Sequence, residues 1–149
     1  MSSPAPFPAR LLSLRDPHGA PLADFDWYPT LELLEVDWHG HLTATSLVLA
    51  VQTGFDLTLF AGQSLPRRVL TNHSKASGNW EEALPWLQYD WLPSAQARGL
   101  EMLAHVVSPD PASRLTEAEH QDFVEALQQT LYVQSFRHLP PARHWLMYH

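Results

Sequence analysis

The chain contains no cysteine, and that absence removes three kinds of chemistry at once. It leaves no disulfide framework, no thiolate metal site and no thiol nucleophile. Charge is scarce as well: charged residues make up 17% of the 149, against 45% hydrophobic, which is the balance of a globular chain. Basic residues number nine and acidic residues sixteen, leaving a formal net charge of −7 with histidine neutral. An acidic balance works against non-specific attraction to nucleic acid or to an anionic membrane, so neither is an expected partner. The acids are scattered and form no partner-binding tail. No apolar run approaches the roughly 20 residues a membrane-spanning helix needs. The N-terminal stretch MSSPAPFPARLLSLRD lacks the basic and continuous apolar regions of a signal peptide. The expectation is a soluble cytoplasmic protein with no membrane insertion.

Catalytic signatures are missing too. There is no G-x-S-x-G elbow, no P-loop, no G-x-G-x-x-G and no H-E-x-x-H. His39 and His41 stand at i, i+2 without a third ligand at a recognisable spacing, and His144 and His149 are five apart, a poor helical pair. No metal, no cofactor and no enzymatic activity are therefore expected. A hydrolase built on neighbouring His73 and Ser74 is the remaining catalytic alternative, and adjacency in sequence does not supply its geometry.

What is present reads as one domain over residues 11–149, after a flexible Pro-rich lead-in at 1–10. Ala23 to Tyr28 alternates, with Phe25 and Trp27 opposite Asp24 and Asp26. Leu31 to Trp38 alternates again, with Leu34, Val36 and Trp38 opposite Glu35 and Asp37, which predicts a sheet with one dry and one wet side, ended at Gly40. Thr43 to about Ala61 has helical periodicity, capped by Thr43 or Thr45. A short β segment at Val69 to Thr71 leads into a polar loop, Thr71 to Gly78. A helix begins near Leu84 with Pro85 in its first turn, kinks at Pro93 and stops at Gly99. Leu100 to Val107 reads as a central strand, Thr116 to Thr130 as a helix opened by a capping box, Leu131 to Phe136 as the last strand, and Pro140-Pro141 as the start of a terminal helix.

Three segments carry a family likeness: LLEVDWHGHLT, GNWEEALPWLQYDWLPSAQARGLEMLAHVVSPD and FRHLPPARHWL. Their order and spacing, from Trp38-x-Gly40 through Trp86 to Ala95 and Ala104 to Pro109 to Phe136 to Leu146, resemble the SpoIIAA-like branch of STAS-type domains. The resemblance implies an α/β fold of STAS (SpoIIAA)-like type: a mixed β-sheet opened by an antiparallel meander, with about four α-helices packed mainly on one side. It also implies a bacterial, non-enzymatic domain acting in signalling through protein–protein regulation. Some relatives bind nucleotides, lipids or other small molecules. Sigma-factor antagonists of this group are phosphorylated in a D-S-S-G-like motif after a central strand. That motif is absent here, where the chain reads T-N-H-S-K-A-S-G over residues 71–78, so no phosphoserine is assigned to Ser74 or Ser77.

The candidate site is this loop with the start of the following helix. Asn72, His73, Ser74 and Ser77 supply polar groups, and backbone N–H groups at a helix entry there would suit an anion. Trp80, beside the loop, is the expected pocket wall, with Trp91 behind it and His105 facing the pocket from the apolar strand. Trp38 and Trp145 are expected to be structural. Two function classes follow: a regulatory domain that binds a protein partner through a convex Asn72–Trp80 surface, or a small-molecule or lipid-binding module with an aromatic-lined pocket. The chain is a candidate homodimer through the first strand or the Trp-rich helix.

Overall fold

The computed structural model describes residues 9–58, 60, 64–111, 125 and 132–148. Strand β1 (Ala9–Arg15) and strand β2 (Pro21–Tyr28) pair antiparallel across a turn in which Asp16 Oδ1 accepts from the His18 and Ala20 N–H groups. The sheet therefore begins at Ala9, and residues 9 and 10 of the expected lead-in belong to it. Arg10 is held there by ion pairs to Asp26 and Asp24 across the strand pair. Residues 1–8 lie outside the described part. Strand β3 (Leu33–His41) follows a 3₁₀ turn and pairs antiparallel with β2. It passes through Gly40 at φ +71° instead of ending there.

Helix α1 (Ala44–Val51) starts as its residues dictate. Thr43 Oγ1 accepts from the Ser46 N–H at 3.1 Å and Ser46 Oγ accepts from the Thr43 N–H at 3.0 Å, a reciprocal cap. The helix continues as a wider π turn, Gln52–Thr58. Strand β4 (Arg68–Ser77) then replaces the expected short segment and polar loop with ten residues of continuous strand. Tertiary pairing overrides turn propensity here: Thr71-Asn72-His73-Ser74 has β3 on one side and, as far as Asn72, β5 on the other.

The second helical run, α2 (81–97), is assembled from a 3₁₀ turn at Glu81–Ala83, an α turn at Leu84–Trp86, a π turn at Leu87–Trp91 and an α segment at Leu92–Ala97. The π turn is how the helix accommodates Pro93, the expected kink point: the Leu92 N–H reaches back five residues to the Leu87 carbonyl. Gly99, at φ +113°, closes the run. Its N–H donates to Gln96 O, and the Leu100 N–H to Ala95 O, which is the paired bond pattern of a Schellman stop. Strand β5 (Met102–Val106), strand β6 (Tyr132–Phe136) and helix α3 (Leu139–Met147), with prolines in its first turn, complete the described elements. Of the expected helix at Thr116 to Thr130 only Glu125 is described, and it is helical; the rest lies outside the described residues.

The six strands form one mixed α/β sheet in the order β1-β2-β3-β4-β5-β6, with β3 to β6 mutually parallel. One face carries Phe25, Val36, Trp38, Val69, Leu103 and Val133 against α1, its π turn and α2. The other carries Leu33, Leu70, Met102, Ala104 and Val106 against Ala142 and Leu146 of α3. The expected wet side is thus a second dry side over β3 to β5, and among the described residues α1 and α2 lie on one face and α3 on the other. Glu35, expected in solvent, is only 2% exposed under α3. The Arg143 guanidinium contacts both of its carboxylate oxygens at 3.0 Å and Tyr28 Oη donates to it at 3.1 Å. Burial pushes the Glu35 carboxyl above its ordinary range despite Arg143, and burial together with Glu35 pushes the Tyr28 phenol up to about 12.

An acid whose folded pKa lies above its unfolded value favours the fold below the unfolded pKa, and that contribution is lost as pH rises through the folded pKa. Arg143→Ala strands the carboxylate under α3, so urea unfolding at pH 8 should show a loss of about 2–3 kcal/mol. The loss should shrink on acidification toward pH 5 as Glu35 takes up a proton. A loss that does not change between the two pH values would show that Glu35 is not the group being stranded.

Candidate functional site

The site is built on one irregularity. Asp37 pairs with Asn72, but His39 pairs with Lys75, so β4 carries one extra residue opposite β3. This bulge reverses the alternation beyond it: Val69, Thr71 and His73 face the α1/α2 layer before it, and Ala76 does so after it. Asn72 fastens the bulge from the opposite face. Its side-chain N–H donates to Asp37 Oδ1 at 3.0 Å, and its oxygen accepts from the Ser74 N–H at 3.0 Å. Gly78 then turns the chain at φ +89°, where a Cβ would collide with the Leu42 carbonyl oxygen. Its N–H donates to Asp110 Oδ2 at 3.0 Å, and Trp80 folds back over the sheet.

Between this part of the sheet and the helices lies a cavity of about 80 Å³. Its floor is β3 to β6, with Val36 and Trp38, Thr71 and His73, His105, and Ser135 alternating inward. Its roof comes from α1 and α2, including Phe55, Leu87 and Trp91 from the two π turns. Among the described residues no Asp, Glu, Lys or Arg lines it.

The imidazole of His73 is stacked between two indoles. Its centroid is 5.6 Å from Trp38 at 27° and 5.3 Å from Trp80 at 29°. His105 is tilted against it at 4.7 Å, and Thr71 Oγ1 lies 3.0 Å from His105 Nδ1. Burial holds the His73 pKa well below the ordinary histidine value, and a charge on His105 would lower it further. His73 is therefore neutral at neutral pH, with one N–H and one lone pair. Trp38 Nε1, Trp80 Nε1 and His73 Nδ1 are all buried, and none has a hydrogen-bond partner among the described residues. Each such group forfeits roughly 1–3 kcal/mol of desolvation that a partner would return.

Of the sequence candidates, His73, Trp80, Trp91 and His105 line the cavity, and Asn72, Ser74 and Ser77 do not. Asn72 is buried on the other face as the bulge clamp, and Ser74 is exposed. The expected anion cradle is overturned with the loop, because residues 71–77 form strand β4 and do not open a helix. His73 and Ser74 cannot form a dyad, since one is buried among indoles and the other faces solvent. Sequence reasoning had Thr71 as a polar group of the expected loop, missed Ser135 as a wall residue and read Trp38 as structural only. Alternation places Trp38 on the face of Val36, which was the available signal. His39 is engaged with Asp24 at 2.9 Å. Asp26, Glu35 and Asp37 approach one another on the opposite face, each already held by Arg10, Arg143 or Asn72.

A base with a depressed folded pKa contributes stability above its unfolded pKa and loses it as pH falls. Between pH 6.5 and 5 His73 should therefore destabilise the fold by up to about 1.4 kcal/mol per pH unit. His73→Phe, which keeps a ring in the stack, should flatten that limb in urea titrations. An unchanged acid limb would assign it to other groups.

No protein-family model matches the chain, and no curated protein does. Among solved structures, it is similar to an uncharacterized protein of the DUF3478 family with a SpoIIAA-like fold from Shewanella loihica PV-4, at 15% identity, over 98% of each chain, with a TM-score of 0.42.

Proposed function

We propose that the chain is a small-molecule-binding module, non-catalytic and cytoplasmic, whose site is the cavity under α1 and α2. One observation carries this reading: an apolar cavity lined by residues that hold three buried ring nitrogens without partners among the described residues. A finished core would have filled the volume and paired the nitrogens. The cavity is smaller than the roughly 300 Å³ of a full ligand pocket, which suits a compact molecule or the leading end of a longer one such as a lipid. A regulatory role through a protein partner is less well supported, because the convex polar loop it required is strand β4. The chain carries no G-x-S-x-G elbow, P-loop or H-E-x-x-H, which supports a binding role over a catalytic one. Among the described residues no helix is long and apolar enough to cross a membrane.

Native mass spectrometry of gently purified protein should show a small non-covalent adduct that is lost on denaturation. Leu87→Trp adds bulk at a half-buried wall position and should weaken uptake of added cyclohexane at least tenfold, about 1.4 kcal/mol. Undiminished uptake in a folded variant would place binding elsewhere. Self-association through β1 or α2 stays an expectation, and light scattering that returns the 16.9 kDa of one chain would remove it.

A further inference from the structure

We infer that the cavity selects an uncharged molecule carrying a hydrogen-bond-accepting carbonyl oxygen, received by the indole N–H groups of Trp38 and Trp80. This rests on the ligand-binding reading above and names the chemistry of what is bound.

An indole nitrogen donates and cannot accept, so a ligand that offers only donors leaves both Trp38 Nε1 and Trp80 Nε1 unsatisfied. A pure hydrocarbon leaves them unsatisfied as well. A carbonyl oxygen has two lone pairs and matches the indole donors. Charge is excluded by the lining: with no Asp, Glu, Lys or Arg there among the described residues, an ionised ligand would lose its hydration without gaining a counter-charge. The histidines do not alter this. Thr71 Oγ1 already engages His105 Nδ1, and His73, stacked between the two indoles, is 3% exposed. A neutral His73 can turn either its N–H or its lone pair toward a neutral ligand, so Nδ1 adapts to what the indoles receive. Trp38, His73 and Trp80 come from β3, β4 and the start of α2, which makes the donors part of the rigid sheet and its cover. Fixed donors in an apolar wall are what orients a ligand and discriminates between isosteres.

Three probes of matched shape separate the outcomes: cyclohexanone, cyclohexane and cyclohexanecarboxylate at pH 8. Each is titrated into the full ¹⁵N-labelled chain, following the indole N–H signals, which Trp38→Phe and Trp80→Phe assign. The affinity ranking of the three probes is measured on the unmodified chain and needs no variant. Cyclohexanone should move both indole signals and bind about tenfold more tightly than cyclohexane, the worth of satisfying one buried donor. The carboxylate should leave them in place. Equal affinity for cyclohexane and cyclohexanone would overturn the carbonyl selectivity and leave the ligand-binding reading standing. Tightest binding by the carboxylate would overturn it in favour of an anion site. If no probe moves any cavity signal, the ligand-binding reading falls, and this inference with it.

Discussion

The extra residue in β4 is the constraint on which the rest of the site depends. A strand alternates strictly, so without the bulge the residues after His73 would present the wrong faces to both layers. With it, His73 lies between Trp38 and Trp80 by the alternation before the bulge, and Ala76 beyond it still packs into the same core. The device is held by one side chain: Asn72 bonds Asp37 on the neighbouring strand and the Ser74 N–H within the bulge. A buried amide that satisfies two partners fixes register in a way an apolar residue cannot, because misalignment would leave its polar atoms unpaired.

The two faces of the sheet handle polar burial in opposite ways. Beneath α3, Glu35 is buried and fully answered by Arg143 and Tyr28, so that polar group works as a latch between the terminal helix and the sheet. Beneath α1 and α2, three ring nitrogens are buried and unanswered among the described residues, and space is left beside them. Imperfect packing is costly in a domain of this size, where total stability is of the order of 5–15 kcal/mol. Three of the four buried nitrogens without a partner among the described residues, Arg68 Nε being the fourth, gather around one cavity next to two π turns, and this clustering is the basis for reading it as a site.

Local signals in the chain were legible wherever they act over a few residues. Thr43 caps α1, Gly99 stops α2, Pro140 and Pro141 open α3, and Phe25, Val36 and Trp38 take the core face that alternation assigns them. Trp80, Trp91 and His105 were legible as walls of one aromatic-lined pocket, whereas the burial of His73 between two indoles was not. The polar run at 71–77 misled because Asn, His and Ser favour turns locally, and only pairing with β3 and β5 makes them strand.

The sequence by itself determined the periodicities, the caps and stops, the scarcity of charge and the absence of thiol chemistry, since each is set by a residue and its near neighbours. The tertiary structure alone decided which polar residues are buried and what they meet. Glu35 looks solvated until α3, more than a hundred residues later, covers it, and Ser74 and Asn72 look alike until the sheet gives one to solvent and the other to the bulge. Burial and pairing are properties of segments far apart in the chain, and no local pattern encodes which distant segment will arrive.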